Sequence, residues 1–339
     1  MTREVKRVLV AGAGGFIGSH MVSYLKKRGY WVRGADIKEP EFKDCCADEF
    51  VLMDLRDTNG CRRVTKDVHE VYNFAANMGG IGFITRVKAN VMHDNVLINS
   101  NLLEASRRNG VERYFFSSSA CVYPKFKQRK PQVSPLSEAD VLPAYPGTPY
   151  GWEKLFSEMM CRAYYDDYGL ETRIARYHNV YGPEGTFKGG REKAPAALCR
   201  KVAEAEDNGT ITIWGDGKQT RSFLYIDDAL EATCRLMNGE YREPLNIGSD
   251  ELISVDELAD LIIEISGKTL EKEYDLSKPQ GVRGRNADLT TLKKVIDWKP
   301  RIGYKRGLTK TYEWIKQQCT RDKQVRPTDK IETYPITSN

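Results

Sequence analysis

This chain is poor in the residues that build metal centres, disulfide scaffolds or membrane spans. Only four histidines occur among 339 residues, and they do not cluster. The eight cysteines, at 45, 46, 61, 121, 161, 199, 234 and 319, form no C-x-x-C pair. No zinc site or other metal and no disulfide framework is expected, and scattered thiols suit a reducing, cytoplasmic setting. No run approaches about eighteen apolar residues, so no membrane-spanning helix is expected. An excess of charge of one sign is lacking too: 52 Lys and Arg against 47 Asp and Glu leave +5, spread along the chain. That balance argues against nucleic acid as a partner and is compatible with a small anion. The first residues run directly into an apolar segment, with no signal-peptide pattern, and there is no internal repeat.

What is present is a 40% hydrophobic, 29% charged composition and a regular alternation of two periodicities. Residues 7–11, 31–37, 49–55, 70–76, 113–119 and 172–177 read as strands; 16–28, 91–109 and 150–168 read as helices. Strands alternating with helices of this length predict a parallel, doubly wound α/β sheet with ligands beyond the carboxyl ends of its strands. After about Tyr181 the pattern changes to short strands at 211–215, 222–225 and 245–247, with helices at 255–266, 290–298 and 304–318. Ser254 and Glu257 form a capping box before the first of these helices. The expected division is a dinucleotide-binding unit, 1–180 plus 222–249, a smaller C-terminal α/β substrate lobe, 181–221 plus 250–320, and a mobile polar tail, 321–339.

The turn after the first strand has the spacing G-x-x-G-x-x-G, at Gly12, Gly15 and Gly18, with Ile17 where the G-x-G-x-x-G version has its last glycine. Gly12 permits a tight turn, Gly15 lets backbone N–H groups approach a pyrophosphate, and Gly18 lets helix and strand pack closely. Phe16 and Ile17 open the helix whose N-terminus would face that anion. Asp36, at the end of the second strand, can accept bonds from ribose hydroxyls and would repel a 2′-phosphate, which favours NAD over NADP. Asp54 could reach the adenine ring or merely cap a strand end. Further on, Tyr150 and Lys154 stand at i, i+4 on one helical face. An ammonium beside a phenol, whose unperturbed pKa is about 10, favours the phenolate that could take a proton from a secondary alcohol. Cys121 follows a serine run, Ser117-Ser118-Ser119, at the predicted end of a strand.

With these motifs in order, the chain resembles the extended short-chain dehydrogenase/reductases, the NAD-dependent epimerases and dehydratases of nucleotide sugars. The matching stretches include Met78-Gly79-Gly80-Ile81-Gly82-Phe83, Ser119-Ala120-Cys121-Val122-Tyr123-Pro124, Tyr150-Gly151-Trp152-Glu153-Lys154, His178-Asn179-Val180-Tyr181-Gly182-Pro183, Lys188-Gly189-Gly190-Arg191-Glu192-Lys193-Ala194, Gln219-Thr220-Arg221-Ser222-Phe223 and Arg283-Gly284-Arg285-Asn286. The resemblance implies a Rossmann-type fold, a retained NAD, a homodimer packed through helices 91–109 and 150–168, and GDP-mannose as substrate. It implies oxidation at C4 by Tyr150 and Lys154, and inversion at C3 and C5 through Cys121 and Lys193, giving GDP-L-galactose and also GDP-L-gulose. It further implies substrate contacts at Gly80, Ser119, Cys121, Asn179, Glu192, Lys193, Ala194, Lys201, Gln219, Thr220, Arg221 and Arg285. Arg221 and Arg285 suit the diphosphate, because a guanidinium binds oxygens through two parallel N–H groups.

The same residues weigh against the rivals. A sugar 4,6-dehydratase needs carboxylates where Ala120 and Cys121 stand. A GDP-fucose-synthase-like epimerase and reductase uses histidine where Lys193 stands and prefers NADPH. A 4-epimerase of another nucleotide sugar leaves Cys121 unexplained. A non-catalytic dinucleotide sensor leaves all four candidate catalytic residues unexplained.

Overall fold

The computed structural model describes residues 5–324. The first half of the chain runs β1 (Arg7–Ala11), α1 (Phe16–Lys26), β2 (Trp31–Asp36), β3 (Glu49–Leu52), α2 (Thr58–Val64), β4 (Glu70–Asn73), α3 (Ile81–Arg86), α4 (Lys88–Arg108), β5 (Arg113–Ser119), α5 (Pro149–Tyr168) and β6 (Glu171–Tyr177). The second half runs β7 (Val180–Tyr181), α6 (Ala194–Glu204), β8 (Thr210–Trp214), β9 (Thr220–Arg221), β10 (Leu224–Tyr225), α7 (Ile226–Asn238), β11 (Leu245–Ile247), β12 (Ile253–Ser254), α8 (Val255–Ser266), β13 (Glu271–Asp275), β14 (Gly284–Arg285), α9 (Thr290–Ile296) and α10 (Tyr304–Gln324).

Seven strands form one sheet in the order β11-β6-β5-β4-β1-β2-β3, and every neighbouring pair is parallel. Side chains alternate across a strand, so β1 feeds two cores. Val8 and Val10 join Met21, Leu25, Ala229 and Leu236 on one face, while Leu9 and Ala11 join Val71, Leu102 and Cys161 on the other. The sheet is therefore covered on both faces, as a parallel sheet must be.

The helices start and stop for local reasons. Thr148 caps α5 by accepting the Gly151 N–H at 3.2 Å, Pro149 occupies the first turn, and Gly169 ends the helix at φ 68°. Proline needs no donor there, and glycine adopts the left-handed conformation without strain. The predicted capping box of α8 is present, with Ser254 and Glu257 each bonded to the other's backbone N–H.

Several predicted strands are shorter than expected. β3 stops at Leu52 rather than 55 and β4 at Asn73 rather than 76, because the chain leaves the sheet to form the ligand-side edge. The Asn73 carboxamide takes over at that edge by accepting the Ala75 N–H at 3.1 Å. The last helix continues to Gln324, so residues 321–324 of the expected tail are helical, and 325–339 lie outside the described residues. The second half supplies small sheets, β12-β9-β14, β13-β8 and β10-β7, around one end of the large one. At β11 the chain returns to the large sheet as its seventh strand, beside β6.

Candidate active site

The turn between β1 and α1 is built on close backbone approach. Gly12 sits at φ +83°, and a Cβ there would lie 2.7 Å from the Ala75 nitrogen. A Cβ on Gly18 would lie 2.0 Å from the Gly12 oxygen, so helix and turn meet with no room for a side chain. Gly15 is the N-cap of α1 and has no side-chain cap, which leaves the helix start to receive an anion. The Asp36 carboxylate stands next to this turn, accepting Gly14 N–H at 2.9 Å and Lys38 N–H at 3.3 Å. Burial pushes its pKa up, against those donors. A cleft lined by Gly14, Gly15, Phe16, Lys38, Lys43 and Glu184 opens at the same place. Tight turn, uncapped helix start and strand-end carboxylate fit a dinucleotide, with the pyrophosphate at the turn and a ribose at Asp36. Asp54 stands apart: Arg56 holds its carboxylate through contacts of 3.0 and 2.6 Å.

The chemical centre forms where β5 ends. Ser119 closes that strand, and its hydroxyl accepts the Cys121 N–H at 3.2 Å, starting a single helical turn. The turn packs on the start of α5, where a Cβ on Gly151 would lie 2.2 Å from the Cys121 oxygen. This packing brings Tyr150 and Lys154 up to the thiol. Tyr150 is buried, and burial first, with Glu153 and Cys121 adding, raises its pKa well above that of a free phenol despite a hydrogen bond from Ser119. Of these groups the Ser119 hydroxyl alone favours the phenolate.

Lys154 is only 1% exposed and lies with its ammonium 5.7 Å from the Tyr150 ring centre and 4.7 Å from that of Phe116. Its partner is Glu153, fully buried, 4.0 Å away. Asn95 and Asn99 of α4 donate to that carboxylate at 2.8 and 3.4 Å. Burial pushes the Lys154 pKa down and the Glu153 pKa up, and each charge restrains the other's shift.

Cys121 faces cations. Burial alone would push its thiol up, but Arg285, the Ser119 hydroxyl and Lys193 together bring the pKa below the ordinary thiol value. Arg285, on β14, donates to the sulfur at 3.4 Å. Lys193 is the N-cap residue of α6, and burial pushes its pKa down while Cys121 holds it up. Cys121 and Lys193 thus shift each other's ionisation, and Cys121 also acts on Tyr150.

The strand pairing β9-β14 sets Arg221 directly beside Arg285. Burial and then Arg285 push the Arg221 pKa down, and its N–H groups reach only backbone oxygens, among them Val282 O at 2.7 Å. Two guanidiniums side by side, Arg285 buried and Arg221 half-buried, neither in an ion pair with a carboxylate among the described residues, are suited to an anion. Gln219 keeps a buried Oε1 without a partner among the described residues, and Asn179, at φ 45°, donates to Ser222 O at 3.0 Å. Thr220 donates to Pro131 O. Gly80 comes to the Lys193 segment through its backbone, donating to Arg191 O at 3.0 Å. The Glu192 carboxylate turns away to Gly190 N–H at 2.6 Å, so Glu192 meets Gly80 through its main chain. Ala194 opens α6. Lys201, two turns further along, points to Thr212 O and the Trp214 ring, away from the thiol.

Some functional neighbours escape the sequence reading. Glu153 carries a signal that could have been used, since it is three residues from Tyr150 and adjacent to Lys154. Arg191, which donates to Asn77 Oδ1 at 3.2 Å and Met78 O at 3.1 Å and stacks on Phe83, lies in the matching stretch 188–194, but the resemblance implies no contact for it there.

The chain is similar in sequence and in shape to several nucleotide-sugar enzymes. GDP-mannose 3,5-epimerase 1 of Oryza sativa subsp. indica is 47% identical over 322 residues, covering 94% of this chain and 84% of that protein. GDP-mannose 3,5-epimerase of Arabidopsis thaliana is 46% identical over 322 residues, 94% and 85% of the two chains. GDP-L-fucose synthase of Escherichia coli is 29% identical over 322 residues, 91% and 96% of the two. Among solved structures, UDP-glucose 4-epimerase of Thermotoga maritima with UDP-glucose superposes with a TM-score of 0.84 at 29% identity, covering 92% of this chain and 99% of that one. The Thermus thermophilus UDP-glucose 4-epimerase complex with NAD gives 0.79 at 26% identity, covering 91% and 98%. The profile of the NAD dependent epimerase/dehydratase family matches residues 8–248, from the first strand of the sheet to the last. The glycine turn, the Tyr150/Lys154 helix and the sheet that carries them all fall within that match, and the chain belongs to the NAD dependent epimerase/dehydratase family.

Proposed function

We propose that this protein is an isomerase that converts GDP-mannose to GDP-L-galactose, and to GDP-L-gulose when only C5 inverts. The observation that carries the reading is the meeting of Cys121 and Lys193 beside Tyr150 and Lys154. Oxidation and reduction at one carbon need only the tyrosine and lysine; the additional acid and base have a task only if C–H bonds are broken and remade. The substrate is assigned on the similarity to GDP-mannose 3,5-epimerases.

NAD would be held by Gly12, Gly15, Gly18 and Asp36, with Tyr150 and Lys154 toward its reactive end, and would supply a reversible hydride acceptor for C4. Tyr150 takes the proton of the C4 hydroxyl, with Lys154 and the positive nicotinamide ring as the charges that would favour the phenolate. Once C4 is a carbonyl, the hydrogens at C3 and C5 become acidic, because either carbanion is an enolate. Cys121 removes a proton from one face of the ring and Lys193 delivers one to the other, since inversion requires acid and base on opposite faces. Arg221 and Arg285 hold the diphosphate, assisted by Gln219, Thr220 and Asn179. Gly80, Ser119, Glu192, Ala194 and Lys201 line the remaining path of the nucleotide sugar. A GDP-fucose-synthase-like reading, suggested by the relatives at 29% identity, leaves Lys193 where that chemistry uses a histidine.

The two-lobed division at 1–180 plus 222–249 and 181–221 plus 250–320 belongs to the same proposal, with the substrate between the lobes. So does the homodimer: Met92 of α4 and Trp152, Phe156 and Met159 of α5 are exposed apolar side chains on two helices that pack together, a face suited to a second copy. No helix among the described residues is long and apolar enough to cross a membrane. Eight free thiols suit a reducing compartment, and we assign the protein to the cytoplasm on that ground.

The test is incubation with GDP-mannose in heavy water, followed by mass and stereochemical analysis. The expected product is an inverted sugar with solvent deuterium at C3 and C5 and none at C4, since the C4 hydride is returned. Deuterium-free product, or inversion at C4, would replace this reading with another.

A further inference from the structure

We infer that Gln128, which belongs to none of the motifs above, is a positioning residue for Cys121: it holds the Arg285 guanidinium against the sulfur. The inference rests on Cys121 being the proton-transferring base and deepens that reading. Gln128 is 1% exposed. Its amide nitrogen donates to Tyr123 O at 3.1 Å and Pro124 O at 3.2 Å, and its Oε1 accepts Arg285 Nε at 2.6 Å. The amide has only this orientation, because the reverse would set oxygen against two carbonyls and N–H against N–H. A guanidinium is a planar fork, so fixing Nε through Gln128 fixes Nη1, which lies 3.4 Å from Cys121 Sγ.

The backbone reinforces the contact. Arg283 N–H donates to Gln128 O at 2.9 Å. A Cβ on Gly284 would lie 2.3 Å from Lys130 O and 2.7 Å from Pro131 O, so the segment after Cys121 runs flush against β14. Arg285 therefore leaves its strand at a point set by the same segment that sets its far end. Its charge is buried, without a carboxylate in ion-pair contact among the described residues, and its polar contacts are the Gln128 oxygen and the thiol. A buried cation so placed favours the neighbour's negative form.

The other groups that face the sulfur are Arg221 from β9, Lys193 from the start of α6, and Tyr150 and Lys154 from α5. Arg221 is turned to the backbone oxygens of Thr220, Gln280 and Val282. Lys193 and Lys154 are pushed toward their neutral forms by burial. Arg285 is the permanent charge in direct contact with the thiol, and Gln128 decides where that charge sits.

The experiment measures the thiol itself rather than turnover. The full-length enzyme with its bound NAD is alkylated with iodoacetamide across a pH series, and the Cys121 peptide is followed by mass spectrometry, apart from exposed Cys46. Gln128→Met removes the acceptor at constant length. Gln128→Glu keeps the acceptor but gives Arg285 a carboxylate partner, and serves if the first variant does not fold. Both should move the Cys121 inflection up by about one pH unit and slow alkylation at neutral pH about tenfold, with NAD content unchanged. A structural role alone would lower thermal stability and leave the inflection in place, and that result overturns the inference. So does a wild-type inflection at the ordinary thiol value of about 8.5. Failure of Cys121 as the base would show instead as normal inversion by Cys121→Ala, which leaves the alkylation result standing.

Discussion

A methyl group added at Gly80 tests how tightly the Lys193 segment is placed. Gly80 is the N-cap of α3, and its N–H donates to Arg191 O at 3.0 Å. A Cβ at this position would lie 2.4 Å from the Glu192 carbonyl oxygen, a backbone atom with no rotamer by which to escape. Ordinary contact begins near 3.4 Å, so Gly80→Ala must displace the chain next to Lys193 by about 1 Å. A catalytic group displaced by about 1 Å costs roughly 10²-fold in rate, or about 2.7 kcal/mol of transition-state stabilisation. Gly79→Ala is the internal control. Its Cβ would meet Phe83 Cβ at 2.9 Å and the Phe83 ring at 3.1 Å, so the strain falls on α3 and not on the Glu192 backbone next to Lys193. The assay is kcat for conversion of GDP-mannose, with NAD content and thermal stability measured alongside. The expected result is a kcat loss of about two orders of magnitude for Gly80→Ala and a much smaller one for Gly79→Ala, with NAD retained in both. Near-normal turnover by Gly80→Ala would mean that the Gly80–Glu192 contact does not position Lys193.

Two further predictions concern titration. Glu153→Gln removes the carboxylate 4.0 Å from the Lys154 ammonium, an interaction of about 4 kcal/mol at an effective dielectric near 20. Burial already lowers the Lys154 pKa, so losing its counter-charge lowers it further, and the alkaline limb of kcat/KM should move to lower pH by at least about one unit; an unmoved limb would show that Glu153 does not support the charge. His178 is fully buried, donates through Nε2 to Asn246 Oδ1 at 3.0 Å, and is pushed down to about 3, mainly by burial. Its folded pKa lies below the unfolded value of about 6.5, so the stability it contributes is complete above that value. It is lost as pH falls toward 3, up to about 5 kcal/mol. His178→Gln has nothing to titrate there, so its unfolding free energy should fall less steeply between pH 6.5 and 3 than that of the wild type. Equal slopes in denaturant melts would contradict the assignment.

The large sheet was legible because buried parallel strands are apolar runs separated by glycine turns, and β1, β5 and β11 agree with the sequence reading residue for residue. Strand ends were less so. β3 ends level with Asp36 of β2 and β4 level with Ala11 of β1, and only the assembled sheet sets that limit. The helix α6 is hidden in sequence by Pro195, which suggests a break but sits in the first turn, where a missing N–H costs nothing. In the site, Tyr150 and Lys154 stand out by residue type and i, i+4 spacing, whereas Cys121 and Lys193 are marked only by the family-like stretches around them. Gln128 has neither signal: it lies in a polar stretch between Lys127 and Arg129, and its contact with Arg285 spans 157 residues. Glu153 falls between these cases, adjacent to Lys154 in sequence but dependent on Asn95 and Asn99 of another helix for its burial.

The central claim is that a thiol and an amine, placed beside an oxidation site, move the ring protons. Site-resolved deuterium incorporation by Cys121→Ala and Lys193→Ala, with GDP-mannose in heavy water, tests it most directly. Cys121→Ala should leave the sugar uninverted and nearly free of deuterium at C3 and C5, because Tyr150 and Lys154 still act at C4 but nothing takes the ring proton. Lys193→Ala should lose roughly 10²–10⁴-fold in inversion and retain some exchange, because Cys121 can return a solvent proton to the face it came from. Production of the inverted, deuterated sugar by Cys121→Ala at the normal rate would contradict the account and return Cys121 to the role of a packed thiol.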